Sequence, residues 1–181
     1  MLPLLEQYLP SHLLASIKEA LAEQKARLHL AGTTGSLASV IGAAIAESNT
    51  TCSQLFIAPD KESACYLAND LESLLGEASA TNIDEKRVLL FPSGDDHRPT
   101  DRGNADRLMR SDVVRQLASD RPLLVVAYPE ALAEKVASAR AIASNTLTIH
   151  EHDSLSPDFI IDVLQEYGFE RTDFVTEPGQ Y

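Results

Sequence analysis

Short apolar runs alternate with longer amphipathic segments along most of this chain. The apolar runs are bounded by glycine, proline or polar residues, a pattern typical of strands that are buried on both faces. The predicted strands are residues 28–32, 54–58, 87–91 and 122–127. The predicted helices are residues 11–26, 37–47, 60–75, 102–118 and 129–143. Because strands and helices alternate, the pattern predicts a doubly wound α/β domain with a parallel sheet over residues 1–144.

The pattern changes after residue 144. Residues 146–150 alternate between polar and apolar side chains like a half-exposed strand. Residues 156–167 read as a capped amphipathic helix, and an extended segment, 169–176, follows it. We therefore predict that residues 145–181 are the N-terminal part of a small α+β domain, truncated before its sheet is complete.

Charge and hydropathy exclude several classes of partner. The 181 residues contain 15 Lys and Arg against 27 Asp and Glu, and the net charge of −12 repels a nucleic-acid backbone. No apolar stretch approaches the roughly 18 residues that cross a bilayer. No basic residue precedes the apolar N-terminal run, so we expect a cytoplasmic protein without a membrane partner. Cys52 and Cys65 have neither metal nor disulfide spacing, and we expect two buried thiols in a reducing compartment.

The segment between the first predicted strand and the next helix has the form of a phosphate-binding loop without its phosphate-binding residues. A functional loop reads G-x-x-x-x-G-K-[ST], in which the second glycine admits close backbone approach and the lysine neutralises phosphate. The eight residues here are Gly32, Thr33, Thr34, Gly35, Ser36, Leu37, Ala38 and Ser39. Leu37 and Ala38 stand at the glycine and lysine positions. We call this segment the degenerate phosphate loop.

The two replacements disfavour nucleotide binding for separate reasons. Two opposite charges 4 Å apart attract each other by about 4 kcal/mol at an effective dielectric near 20. Without a lysine, the loop lacks such an attraction for a phosphate group. A β-carbon at Leu37 costs roughly 1–2 kcal/mol where the backbone must adopt positive φ. Ser39 keeps a hydroxyl that could bind magnesium, and the helix N-terminus could attract an anion weakly. The alternative is that GTTGS is only a strand-to-helix turn of capping residues. In both cases we expect no catalytic residue and no cofactor in this chain.

The order of these landmarks resembles one protein family. The segments that carry the resemblance are AGTTGSLASVIGAAIAE, LFIAPDKESACYLANDL, VLLFPSGDD, LLVVAYPEALAEKV and LTIHEHDSLSPDFIIDVLQEYGFERTDFVTEPGQY. From about Leu28 onward the chain resembles the N-terminal UvrB-homology module of the bacterial transcription-repair coupling factors, the Mfd proteins. UvrB carries an intact G-x-T-G-S-G-K-T loop, whereas the Mfd modules carry a degenerate one. UvrB also has a tyrosine-rich hairpin that wedges between DNA strands, and here residues 92–101 are short and lack aromatic side chains.

The resemblance implies a P-loop NTPase-like module that recruits a protein and has lost catalysis. In the family, the domain that begins near Leu147 copies the UvrB surface that binds UvrA, which brings nucleotide excision repair to stalled RNA polymerase. The ATP- and magnesium-dependent motor of the helicase family, and the contacts with RNA polymerase and DNA, belong to regions beyond residue 181. Part of the UvrA-contacting surface also lies beyond Tyr181, so we expect the partner-binding residues mostly outside this chain. The opposing hypothesis is a fragment of an active UvrB-like or helicase-like ATPase whose loop tolerates the replacements.

Two groups of acidic and histidine residues could suggest a metal site. The first group lies in a Gly/Pro loop and consists of Asp95, Asp96, His97 and Asp101. Its spacing is not that of a tetrahedral site, so we expect solvated side chains and no metal. His150 and His152 would share one strand face, which an exposed strand end also explains.

The basic residues have a structural interpretation as well. Arginines at 98, 102, 107, 110 and 115 alternate with acidic residues, and Asp106 and Arg110 have the i,i+4 spacing of a weak ion pair. We expect a surface helix carrying ion pairs. Asp84 and Glu85 lack the buried strand that a nucleotide-hydrolysis motif requires before its acidic residues.

Overall fold

A computed structural model describes residues 3–23, 25–94, 101–119, 121–144, 146–147, 149, 151–176 and 179–181; side chains are not described at 3, 4, 101–104, 139 and 143. The chain forms two compact units, Met1–Val136 and Ala137–Tyr181. The first unit contains a parallel sheet with helices, so the α/β class is confirmed.

Three of the four predicted strands form this sheet. They are β1 (Gln54–Ile57), β2 (Val88–Leu90) and β3 (Leu124–Ala127). All pairings are parallel, and the strand order is β1-β3-β2. In the register, Leu55 and Leu89 lie on either side of Val125. The strand that is central in the sheet is buried along its whole length, as a continuous apolar run predicts.

The prediction of a first strand over residues 28–32 is wrong. Residues 26–34 have no regular secondary structure, and Leu28 and Leu30 are exposed. A short apolar run becomes a strand only when a neighbouring strand accepts its hydrogen bonds, and no described strand pairs with this one. The described residues therefore establish a parallel α/β sheet, whereas a phosphate-loop NTPase fold is not established.

The described helices follow the amphipathic segments. They are α1 (Pro3–Tyr8), α2 (His12–Leu21), α3 (Leu37–Ser48), α4 (Lys61–Leu75), α5 (Asp101–Leu117), α6 (Pro129–Ala133), α7 (Ala139–Ser144) and α8 (Pro157–Glu166), with a 3₁₀ turn at Ile83–Glu85. Side chains cap the three helices whose starts the sequence marks most clearly. The caps are Ser11 to the N–H of Leu14 at 3.3 Å, Asp60 to the N–H of Ser63 at 2.7 Å, and Ser156 to the N–H of Phe159 at 3.1 Å.

The predicted helix over 129–143 is two shorter helices. Helix α6 ends before Glu134, whose backbone is extended at φ −80° and ψ 144°. Arg110 donates to the carbonyls of Ala131 and Glu134, at 2.9 and 3.1 Å. An arginine from another helix thus occupies carbonyl oxygens that a continuing helix would use for its own hydrogen bonds.

The core of the first unit surrounds β3. The side chains that are almost fully buried include Leu71, Val88, Val113, Leu123, Leu124 and Val126. Helix α3 presents Ala43, Ala44 and Ala46 to the core, and these small residues let it approach the sheet closely. A β-carbon built on Gly42 would lie 2.8 Å from Cε1 of Phe56, so the approach depends on glycine at that position.

The second unit has little interior. None of its described residues is buried to the degree of the core in the first unit. Helix α8 ends with the N–H of Phe169 bonded to the carbonyl of Leu164 at 2.9 Å. A parallel bridge then joins Glu170 to Gln180. No helix among the described residues of either unit is both long enough and apolar enough to span a membrane.

Candidate functional site

The degenerate phosphate loop is an exposed turn at the start of α3. Gly32 and Gly35 adopt φ of +76° and +57°, conformations that favour glycine. No atom lies within 4 Å of a β-carbon built on either residue, so the turn is open to solvent. Ser36 precedes the helix without a side-chain capping bond, which leaves helix N–H groups available to water or an anion.

No lysine or arginine lies in this turn, in α3 or in β1. The chain has no Lys or Arg from Leu28 to Asp60, a range that includes the whole loop, α3 and β1. Ala38, at the position of the phosphate-binding lysine, is exposed, and Leu37 is half-buried. Among the elements that form it, the turn can therefore offer an anion only backbone N–H groups and hydroxyls.

Ser39, the possible magnesium ligand, serves the packing of two helices. It is 6% exposed, and its hydroxyl donates to Oδ2 of Asp70 on α4 at 2.8 Å. This hydrogen bond joins α3 to α4. The sequence suggested Ser39 as a magnesium ligand and carried no sign of its hydrogen bond to Asp70, which lies 31 residues away.

Arg110 forms a polar cluster at the carboxyl ends of β2 and β3. It is 8% exposed, and its guanidinium donates to the carbonyl of Pro92 at 2.9 Å in addition to the two carbonyls at the end of α6. Its guanidinium carbon lies 4.1 Å from the centre of the Phe91 ring, a cation–π distance. Its Nε lies 3.7 Å from Oε2 of Glu134.

The prediction of a surface ion pair between Asp106 and Arg110 is wrong. Asp106 pairs with Lys61 of α4 instead, at 2.6 Å, and this hydrogen bond raises the pKa of Lys61. Arg110 faces inward and pairs with Glu134. Helical spacing identifies which side chains can meet along one helix, but both residues find partners on other elements.

Further groups complete the cluster around Arg110. The N–H of Gly94 donates to Oε2 of Glu134 at 2.9 Å, and the hydroxyl of Ser93 donates to Oε1. The N–H of Ser93 donates to the hydroxyl of Tyr128 at 2.7 Å. Arg107 donates from Nε to the carbonyl of Gly94 at 3.1 Å. We refer to Ser93, Gly94, Arg110 and Glu134 as the edge cluster. Sequence reasoning did not find it, because its three parts, Ser93–Gly94, Arg110 and Glu134, are 16 to 41 residues apart and have no motif spacing.

Asp84 also has a structural role. Its carboxylate accepts a hydrogen bond from Nε2 of Gln116 and lies 3.8 Å from the guanidinium of Arg115. Arg121 donates to the carbonyls of Asp84 and Lys86. These contacts fix the 3₁₀ turn before β2.

The remaining predicted candidates do not assemble into a described site. Asp95, Asp96, His97 and His150 lie outside the described residues, as does the side chain of Asp101. In the part of the chain that the structure describes, no three His, Cys, Asp or Glu residues are placed to hold a metal ion. Cys52 and Cys65 are both exposed, so the prediction of two buried thiols is wrong. Cys65 is on the solvent side of α4 and Cys52 is in the bend before β1, and composition cannot reveal either position.

The second unit presents apolar side chains to solvent. Phe174 is 84% exposed and Val175 is 62% exposed. Hydrogen bonds hold the turn that carries them: Thr172 donates to the carbonyl of Phe174 at 3.1 Å, and the N–H of Thr176 donates to Gln180 at 2.9 Å. These bonds hold the backbone that places the two apolar side chains at the surface.

Comparison with known proteins gives one informative match. The chain is 29% identical over 168 residues to the transcription-repair-coupling factor of Bacillus subtilis (strain 168). This chain is similar to a transcription-repair coupling factor. The match covers 91% of the chain but 13% of the relative, so the chain spans only a small part of that protein's length. No protein-family model matches the chain, and no solved structure matches it.

Proposed function

We propose that this chain is a catalytically inactive, UvrB-like module of a transcription-repair coupling factor, and that it recruits UvrA to stalled RNA polymerase. The observation that carries the proposal is the similarity to the Bacillus subtilis factor along 91% of the chain. A similarity of that extent includes both units, so it supports a whole module rather than one shared motif. The name of the relative associates the chain with DNA repair coupled to transcription.

The geometry of the degenerate phosphate loop supports the loss of catalysis. The loop and the helix that follows it have no lysine or arginine, and Ser39 is engaged with Asp70. Binding of a nucleotide triphosphate needs positive charge and oriented donors together, and here only the donors remain. ATP and magnesium in such a factor would bind in a motor outside this chain. RNA polymerase and DNA would likewise contact other regions, which agrees with the net charge of −12 here.

A nucleotide titration tests the inactive loop. We expect the melting temperature of this chain to be the same with and without ATP and magnesium. Saturation at 100 times the dissociation constant would add about 2.7 kcal/mol of stability, which a melting curve detects easily. A concentration-dependent rise in melting temperature, together with ATP turnover, would establish the opposing hypothesis of an active ATPase fragment.

A binding experiment tests recruitment. UvrA is immobilised and exposed to the chain, and in parallel to a longer form of the polypeptide that includes the complete second domain. We expect the longer form to bind and the shorter one to bind more weakly, because part of the expected contact surface lies beyond Tyr181. If the longer form does not bind UvrA, the recruitment function is wrong, whatever the nucleotide titration shows.

A further inference from the structure

The edge cluster lies where open α/β sheets bind ligands, outside the carboxyl ends of parallel strands. Its donors are the kinds that hold anions: a backbone N–H from Gly94, a hydroxyl from Ser93 and the guanidinium of Arg110. They come from the loop after β2 and from α5. The group that they surround is the carboxylate of Glu134, which arrives from a third element, the end of α6.

We propose that the edge cluster is a carboxylate-binding site whose resident ligand is the chain's own Glu134. The Gly94 N–H lies 2.9 Å from Oε2, the Ser93 hydroxyl bonds to Oε1, and Nε of Arg110 lies 3.7 Å from Oε2. Both carboxylate oxygens are therefore bound. The ligands that fit this site are carboxylates. Because the side chain of Glu134 already fills it, external anions cannot bind at this edge of the sheet.

Each donor is held in place by contacts that do not involve the Glu134 carboxylate. The guanidinium of Arg110 is fixed by the carbonyls of Pro92 and Ala131, both at 2.9 Å, and by the ring of Phe91. The carbonyl of Gly94 is bound by Arg107 at 3.1 Å.

The backbone of Ser93 is bound independently as well, by the hydroxyl of Tyr128 at 2.7 Å. Because these contacts would persist if the Glu134 side chain were removed, the site is preorganised. Removing that side chain should leave a pocket of donors, and a small external carboxylate should fill it.

The burial of Arg110 explains why the site needs a negatively charged group. The Arg110 side chain is 10% exposed, and a buried charge without a counterion is strongly destabilising. Three carbonyls accept hydrogen bonds from Nη1 and Nη2 of Arg110 but contribute only partial negative charge. The Glu134 carboxylate supplies the full charge.

Chemical rescue tests this proposal. The variants are Glu134→Ala and, as a matched control, Glu130→Ala, which removes an exposed carboxylate from the first turn of the same helix. Melting temperature and hydrogen exchange of the Gly94 amide are measured in increasing sodium acetate, and in sodium chloride at equal ionic strength. In chloride, we expect Glu134→Ala to melt below the wild type and its Gly94 amide to exchange at least about tenfold faster.

Acetate should reverse both changes in Glu134→Ala and chloride should not. The wild type and Glu130→Ala should respond equally to the two salts, because Glu134 still fills their site. If Glu134→Ala is unfolded in chloride, refolding in acetate is the expected result. The proposal would be overturned if Glu134→Ala had the melting temperature of the wild type in chloride, or if acetate had no specific effect on this variant.

A second variant separates the effect of filling the site from the effect of the negative charge on Glu134. Glu134→Gln keeps an acceptor oxygen for Gly94 but has no negative charge for Arg110. We expect it to melt between the wild type and Glu134→Ala in chloride and to show no specific response to acetate. A response as large as that of Glu134→Ala would place acetate elsewhere and contradict the assignment.

Discussion

The hydroxyl of Ser39 on α3 donates to the carboxylate of Asp70 on α4 at 2.8 Å, with Ser39 almost fully buried. A serine at the end of a phosphate-binding loop normally faces magnesium. In this chain the equivalent hydroxyl joins two helices, and the loop before it carries no cation. The contact therefore gives a structural reason to retain the serine where nucleotide binding is not expected.

Ser39→Ala should lower the free energy of unfolding by about 1–3 kcal/mol, because the half-buried carboxylate of Asp70 would lose a donor. Ser36→Ala, three residues earlier, is a suitable control, since the Ser36 side chain makes no capping bond and its loss should change stability by less than about 0.5 kcal/mol. Urea denaturation of both variants measures the difference. If Ser39→Ala and Ser36→Ala were equally stable, the hydrogen bond between Ser39 and Asp70 would be no stronger than the bonds that its groups make with water.

Restoring the two missing residues tests whether the turn is a former phosphate loop. Leu37→Gly combined with Ala38→Lys restores the complete motif, with Ser39 already in place. We expect pyrophosphate to raise the melting temperature of the double variant and to leave that of the wild type unchanged. The single variant Ala38→Lys controls for added charge alone. If the double variant gains no more than this control, the segment is better described as a simple turn before a helix.

The cap of α4 makes stability depend on pH in the acidic range. The N–H of Ser63 bonds to the carboxylate of Asp60 at 2.7 Å and lowers the pKa of Asp60 below its usual 3.8. Because the folded value lies below the unfolded one, the contribution of this group is present above the unfolded pKa and is lost as pH falls through the folded pKa. Asp60→Asn keeps a capping oxygen without the titration.

Denaturation of the wild type and Asp60→Asn between about pH 2 and pH 6 measures this contribution. We expect the stability advantage of the wild type to be constant near neutral pH and to shrink as the solution becomes more acidic. An advantage that grows toward low pH would contradict the assigned direction of the shift.

Gly42→Ala tests the close packing of α3 on β1. Alanine normally stabilises a helix interior by about 0.5–1 kcal/mol relative to glycine. Here its β-carbon would lie 2.8 Å from the half-buried ring of Phe56, and overpacking of this kind costs about 1–3 kcal/mol.

We therefore expect a net loss of stability of up to about 2.5 kcal/mol from Gly42→Ala, the difference between these two effects. The same substitution combined with Phe56→Ala is the control, because removing the ring removes the close contact with the new β-carbon. If Gly42→Ala proves more stable than the wild type, the Phe56 ring must move aside without cost.

Several parts of the fold could be predicted from local sequence. Ser11, Asp60 and Ser156 mark helix starts because a side-chain oxygen in that position satisfies a helix N–H within three residues. The runs at 54–58, 87–91 and 122–127 form strands, and β3 is buried along its length as a continuous apolar run predicts, although β1 exposes Leu55 and Ile57. Helix capping is a short-range effect, and the local sequence contains both of its participants.

The failures concern long-range partners. Residues 28–32 have the composition of a strand, yet a strand exists only where another one accepts its hydrogen bonds. The helix predicted over 129–143 ends early because Arg110, distant in sequence, binds its carbonyls. Asp106 and Arg110 have ideal spacing for each other, but Lys61 and Glu134 pair with them instead.

The sequence by itself determined the α/β class, the helix caps and the absence of a lysine in the degenerate phosphate loop, because each depends on residue type and near neighbours. Tertiary structure alone decided that Ser39 bonds to Asp70 and that Glu134 occupies the donors around Arg110. Those contacts join residues that are 31 and 40 positions apart. Only the packing of helices against the sheet brings such residues within hydrogen-bonding distance.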